Sequence, residues 1–297
     1  MKKLVRVGIL FVSVFSLLAG AGTPPVNAQT TLANGRIFYD QKSEDYLTGY
    51  SHIFSIGPDG SDNKQITANA QEMLYERPSV SPDGNKIAYM SMDASVTLPT
   101  YYISVSNADG AEARTLVPAA DHMAFAFPSW TPDGSKVVYL SYSFYTNKLE
   151  VHTININGSN DQTLPIDINV SSFEEIDGPV SWSVNNVLAF VDNGNEIYTI
   201  NPDGSNKVNL TTEPEWDEAS FGELAWSPDG SKIAFSVGNG CNENNHSCIE
   251  IMNADGSNKT FVVGDTMIGE DWLVTTHPTW SPDGTKLAFS KRRAIKG

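Results

Sequence analysis

An all-β chain of repeated four-stranded antiparallel units is predicted by three observations. A unit with the sequence Trp226-Ser227-Pro228-Asp229-Gly230-Ser231-Lys232-Ile233-Ala234-Phe235 recurs along the 297 residues. Copies begin at Ser79, Ser129 and Thr279, and a worn one at Ser181 has Val184-Asn185-Asn186 in place of Pro-Asp-Gly. The copies at Ser79, Ser129, Ser181 and Trp226 are each followed by a second turn signal of the Asn-x-Asp-Gly kind (Asn155-Ile156-Asn157-Gly158 in one of them), and the segments between turns alternate or are rich in β formers. Four strands repeating at roughly 44 to 54 residues are the blade of a β-propeller, because such a sheet must bury both faces against neighbours. Six repeats with the last incomplete is the preferred count. The alternative is five blades with a surplus hairpin.

Residues 1–28 read as a leader. Lys2, Lys3 and Arg6 precede an apolar run from Val7 to Leu18, and Val26-Asn27-Ala28 fits a small-x-small cleavage site before Gln29. The run is too short and too early for a comfortable membrane span. The expected organisation is a signal peptide over 1–28 and one propeller domain over 29–297, in a periplasmic or secreted protein, with no integral membrane segment after cleavage.

The first repeat is degenerate and fits if Leu32 takes the Trp place in Thr31 to Tyr39. In each repeat the first strand is expected to be short and to end in the Trp position. Pro-Asp-Gly then makes a tight turn, in which Pro presets φ, Asp bonds its own backbone and Gly accepts a positive φ. A strand of the Lys-Ile-Ala-Phe type follows, then a variable loop. The third strand, such as Ile197-Tyr198-Thr199-Ile200, ends in the second turn. A short fourth strand closes on Ile66-Thr67 or Leu210-Thr211. The sixth repeat stops after its second strand.

The Trp-Ser-Pro-Asp-Gly-x-Lys-Ile-Ala-Phe unit, with its partner ending in Asn-x-Asp-Gly-Ser-Asn, resembles the TolB-type propeller repeat over about residues 30 to 290. That repeat occurs in TolB and in the propellers of prolyl oligopeptidase and dipeptidyl peptidase relatives. The resemblance implies the fold and leaves function open, since one scaffold hosts unrelated roles. Neither the α/β domain that precedes the propeller in TolB nor the Gly-x-Ser-x-Gly nucleophile turn of the peptidases is expected from these residues.

Net charge is −16, and removing the three leader cations leaves 16 basic against 35 acidic groups. That balance excludes nucleic acid as a partner and favours a basic one or a divalent cation. The segments leading into the Trp strands, at 68–77, 118–127, 165–178, 213–223 and 265–277, hold fifteen acids and one cation, Arg77, with aromatics interleaved. Read as long loops on one face, they make an acidic, aromatic mouth. The candidate binding residues are Tyr75, Glu76, Arg77, Phe127, Glu174, Glu175, Asp177, Glu215, Trp216, Asp217, Glu223, Glu270, Asp271 and His277.

No catalytic residue and no metal site is assigned. The Asp-Gly turns suggest calcium, yet none completes a ligand loop. Ca2+ is therefore compatible with the chain without an assignable set of ligands, and no cofactor is expected. The repeated Trp residues are expected to pack between blades rather than to stack on sugars. Cys241 and Cys248 are expected to form a disulfide across a polar loop. The expected function is a non-catalytic, extracytoplasmic scaffold that binds a basic protein or peptide. The alternative is a cation-dependent propeller enzyme or a carbohydrate-binding protein.

Overall fold

The computed structural model describes residues 11–16, 35–42, 51–68, 73–95, 99–168, 173, 178, 180–192, 196–211, 220–238, 241, 247–268 and 271–294, with the main chain only at 11–16, 42, 220, 267, 268, 271–273 and 292–294. Leu32, proposed for the first strand of the first repeat, lies outside them. Among the described residues there is no α-helix, and no helix is long and apolar enough to cross a membrane.

Strands number in chain order. The first, β1, is Phe11–Ser16. Three strands follow for the first blade: β2 (Ile37–Lys42), β3 (Ser51–Ile56) and β4 (Lys64–Gln65). The second blade has β5 (Met73–Val80), β6 (Lys86–Asp93), β7 (Thr100–Asn107) and β8 (Arg114–Val117). The third has β9 (Met123–Trp130), β10 (Lys136–Ser143), β11 (Lys148–Asn155) and β12 (Gln162–Thr163). The fourth has β13 (Ser181–Trp182), β14 (Leu188–Val191), β15 (Ile197–Ile200) and β16 (Val208–Asn209). The fifth has β17 (Ser220–Trp226), β18 (Lys232–Gly238), β19 (Cys248–Asn253) and β20 (Thr260–Gly264). The last has β21 (Thr266–Ile268), β22 (Asp271–Trp280) and β23 (Lys286–Ala294). Pairing within blades is antiparallel, and one parallel bridge, Ser51 to Leu74, joins the first two sheets. These strands fall into two compact units, one over residues 37–217 and one over 218–297 with 1–36.

Both turns of the repeat form as their sequences dictate. In the first, Gly84, Gly134, Gly230 and Gly284 donate their N–H to the carbonyls of Ser81, Thr131, Ser227 and Ser281 at 2.8 Å. The worn copy keeps the turn with Asn186 at φ 60°, since Asn tolerates the left-handed region better than most residues. Each Asp carboxylate is occupied by the turn: Asp229 accepts from Ser227 Oγ at 2.6 Å and from the Ser231 N–H at 3.0 Å. Two residues after the short fourth strands of the first and fourth blades, a buried Thr supplies a hydroxyl in place of a ladder acceptor. Thr67 and Thr211 accept the N–H of Ile53 and Ile197, both at 3.0 Å.

Blades stack through both faces of their central strands, so those strands read as continuous apolar runs. In the larger unit, Val137, Tyr139 and Ile154 pack on Ala88, Ile103 and Val105 of the second blade. From the opposite face, Val138, Leu140 and Val151 pack on Leu188, Phe190 and Ile200 of the fourth. In the smaller unit, Ala234, Ile249 and Ile251 pack on Leu287 and Phe289. Two of the repeat Trp residues staple neighbouring blades, Trp130 Nε1 donating to Ser79 O at 3.0 Å and Trp280 Nε1 to Ala225 O at 3.1 Å, whereas Trp182 Nε1 donates to Asn186 Oδ1 in its own turn at 3.0 Å.

Two features of the fold differ from expectation. The first strand is not short. It runs eight residues in β5 and β9, seven in β17 and ten in β22, and only β13 has two. The last blade, expected to stop after its second strand, also has a third in place. Within the residues read as a leader, β1 pairs antiparallel with β23, setting Ser16 opposite Lys286. The third strands of other blades meet Lys232 with Asn253 and Lys136 with Asn155 in that same register.

Candidate functional site

The long first strands share a β-bulge that presents one side chain from each. In β5, pairing with β6 skips between Glu76 and Ser79, leaving Arg77 and Pro78 as the extra residues. In β9 the skip leaves Phe127 and Pro128, in β17 Gly222 and Glu223, and in β22 His277 and Pro278. Pro has no N–H to give a ladder, so an unpaired bulge is where a strand tolerates it. Arg77, Phe127 and His277 sit at φ of 56°, 54° and 56°. Three bulky residues in the left-handed region, at equivalent places, are a strained feature that the surrounding ladder imposes. Tyr75, Glu76, Arg77, Phe127, Glu223 and His277 therefore lie on paired strands and not on loops, which corrects the expected placement.

Bulge residues of adjacent blades touch. In the larger unit the Arg77 guanidinium carbon lies 4.0 Å from the centre of the Phe127 ring, a cation–π contact. The Arg77 N–H, freed by the bulge, donates to Asp40 Oδ1 at 3.1 Å. Phe127 itself is 5% exposed, so it acts as a platform under Arg77 and not as an open aromatic surface. Tyr75 stacks on His52 at 6.1 Å and meets Tyr89 edge-on at 6.0 Å, and burial raises its hydroxyl pKa.

In the smaller unit, His277 Nε2 lies 2.9 Å from Glu223 Oε1, with the Glu223 side chain 19% exposed and the imidazole 52%. Ser236 Oγ donates to Glu223 Oε2 at 3.0 Å, and His277 Nδ1 lies 2.8 Å from Thr276 Oγ1. Burial pushes the Glu223 carboxyl up, but His277, its backbone and Ser236 outweigh this and hold it below the usual carboxylate range. The smaller unit thus presents an ionised carboxylate bonded to an open imidazole, and the larger unit, taken by itself, a guanidinium on an aromatic ring. Such groups recognise charged side chains.

Glu174, Glu175, Asp177, Glu215, Trp216, Asp217 and Glu270 lie outside the described residues. Asp271 begins β22, and its main chain alone is described. Phe125 and Phe221, expected among the aromatics of the mouth, are buried and meet Tyr139 and Phe235 edge-on at 5.9 and 5.8 Å. Cys241 and Cys248 form the expected disulfide, with Cα atoms 5.9 Å apart. Glu250 lies close to both sulfurs, but bonded cysteines offer no thiolate to a metal.

One constellation was invisible in the sequence. Ser141 Oγ lies 2.9 Å from His152 Nε2, and His152 Nδ1 lies 3.4 Å from Asp161 Oδ1. The order resembles a nucleophile, base and orienting acid, which geometry alone reveals. Ser141 is 1% exposed, however, and Tyr139 donates to Asp161 at 2.6 Å. With the hydroxyl closed to a substrate carbonyl, the group is a polar seam in the blade.

No family model and no curated protein matches the chain. Among solved structures, a TolB from Agrobacterium tumefaciens superposes with a TM-score of 0.61 at 18% identity, over 88% of this chain and 91% of that one. TolB from Acinetobacter baumannii superposes with a TM-score of 0.63 at 15% identity, over 89% of this chain. The fold is a TolB-like β-propeller. The chain spans 64% of the length of the Acinetobacter TolB. A gluconolactonase from Xanthomonas campestris shares the propeller at a TM-score of 0.50 and 13% identity, over 81% of this chain and 78% of its own. At these identities the likeness establishes the TolB-like propeller fold and no activity.

Proposed function

We propose that this TolB-like propeller is an extracytoplasmic, non-catalytic scaffold that binds a basic protein or peptide through its first-strand bulges. The observation that carries the reading is the Glu223–His277 pair, an ionised carboxylate that keeps an exposed imidazole beside it. A net charge of −16 supports attraction of a cationic partner. The apolar leader and the disulfide support export to an oxidising compartment.

Fluorescence anisotropy with labelled fifteen-residue peptides, basic, neutral and acidic, tests this on the chain beginning at Gln29. Basic peptides are expected to bind best, and Glu223→Gln to weaken them at least tenfold at low salt. Equal binding of acidic peptides, or indifference to Glu223→Gln, overturns the reading. A stoichiometric divalent metal that survives dialysis favours a cation-dependent enzyme instead.

A further inference from the structure

The β10–β11 hairpin carries the largest exposed aromatic surface among the described residues. Tyr145 is 73% exposed and Phe144, its neighbour in the chain, 46%. The other exposed large apolar side chains described are Val80, Val184, Val208 and Phe261, each on a different strand or turn. A contiguous aromatic patch is the informative kind of exposure, whereas single exposed apolar residues are ordinary.

The hairpin holds these rings in place. Phe144 donates its N–H to His122 O at 2.9 Å, and Asn147 donates to Ser143 O at 2.8 Å. The Tyr142 hydroxyl donates to Asn147 Oδ1 at 3.0 Å. Both His122 and Asn147 sit in the left-handed region, at φ 56° and 52°. The His122 ring lies 4.1 Å from that of Tyr145. Phe144 stands edge-on to Tyr142 at 5.3 Å and to Phe173 at 5.9 Å, and Phe173 stands edge-on to Tyr101 at 5.7 Å. The cluster is braced from beneath and open above, so ordering it on binding costs little.

Charge selects the occupant. Asp121 and Asp167 are exposed, and the cation of the hairpin, Lys148, is already held by Glu150 at 2.6 Å. Cations already lie over rings elsewhere in this fold, as Arg77 does over Phe127 at 4.0 Å and Lys207 over Tyr198 at 4.4 Å. Phe144 meets Tyr142 and Phe173 beneath it at 77° and 66°, which fixes the tilt of its ring. We propose that Phe144 and Tyr145 form a second docking patch, which takes an arginine-bearing segment of the partner by stacking its guanidinium on the open aromatic faces. The choice of a basic partner rests on the function proposed above; the patch is separate from the bulge residues.

The test is anisotropy with a labelled peptide of six alternating Arg and Gly pairs, and with the same peptide carrying neutral citrulline for Arg. The chain beginning at Gln29 is expected to prefer the Arg peptide. The double change Phe144→Ser and Tyr145→Ala, which leaves the charge unaltered, is expected to weaken it at least tenfold, and Tyr145→Phe within twofold. Circular dichroism and the unfolding midpoint establish that each variant is folded. If folded Phe144 and Tyr145 variants bind the Arg peptide as the parent does, the patch is refuted, and sensitivity to Glu223→Gln alone then leaves the bulge reading standing. Absence of Arg-peptide binding refutes the patch. Equal citrulline binding, or preferential capture of neutral glycans lost on Tyr145→Ala, does so as well.

Discussion

The imidazole of His277 lies 2.9 Å from the carboxylate of Glu223, and both side chains are delivered by the same bulge in neighbouring first strands, β22 and β17. Burial raises the Glu223 pKa, and the bonds from His277 and Ser236 lower it further than burial raises it. A carboxyl with a depressed folded-state value stabilises the fold above its unfolded value, near about 4.3, and that contribution disappears as pH falls through the folded value. His277→Ala is therefore expected to destabilise by about 1–3 kcal/mol at pH 7, since it strips a partner from a buried carboxylate. Urea unfolding at pH 7, 5 and 3 checks this. The deficit should shrink as pH falls and the carboxyl takes up its proton, and a deficit that stays constant from pH 7 to pH 3 would refute the account.

Gly110 and Gly204 close the second turns of the second and fourth blades at φ 88° and 82°. A Cβ at Gly110 would overlap Ile66 O, and one at Gly204 would overlap Pro165 O. Each Gly→Ala change is expected to cost at least about 1 kcal/mol, from the left-handed φ together with the clash. At Gly84, where φ is 75° and a Cβ meets nothing within 4 Å, the cost should be smaller. Unfolding midpoints of the three variants rank them, and equal losses would show that the neighbouring carbonyl is irrelevant.

Thr275 is fully buried, and its Oγ1 has no hydrogen-bond partner among the described residues, although its N–H donates to Asp265 Oδ1 at 2.9 Å. Thr275→Val keeps the shape and removes the unmet hydroxyl, so it is expected to stabilise by about 1 kcal/mol. A lower melting temperature would contradict this.

The disulfide closes a short polar loop between β18 and β19. It should contribute on the order of 2 kcal/mol locally. Alkylation under non-reducing conditions should find no free thiol. The Cys241→Ser, Cys248→Ser protein should keep a cooperative melt, because the blade faces and not this loop carry the core.

The pairing of β1 with β23 predicts a difference between chain forms. In the protein that retains residues 1–28, the β23 amides bonded to β1 should be protected from hydrogen exchange. In the chain beginning at Gln29 they should exchange faster, and the melting temperature should fall. Unchanged protection would mean that another segment holds that edge.

The blade repeat, both turn types, the interblade place of Trp130 and Trp280 and the disulfide partners were legible because each depends on local spacing. Pro-Asp-Gly makes its turn whatever packs against it, and a β-rich run between two such turns has few alternatives. The first strands were misread because Pro78, Pro128 and Pro278 interrupt an alternating run, and Pro ordinarily argues against a strand. Tertiary pairing accommodated them by bulging where no N–H was required. That choice buried Phe125 and Phe221, turned Arg77 onto Phe127 and joined His277 to Glu223. The aromatic hairpin was hidden for a related reason: Phe144, Tyr145, His122 and Phe173 come from three separate segments, and only the fold makes them neighbours. Sequence determined the unit that repeats, because turn chemistry and strand period act within a few residues. The structure decided which side chains meet, because bulge register and blade stacking act between residues far apart in the chain.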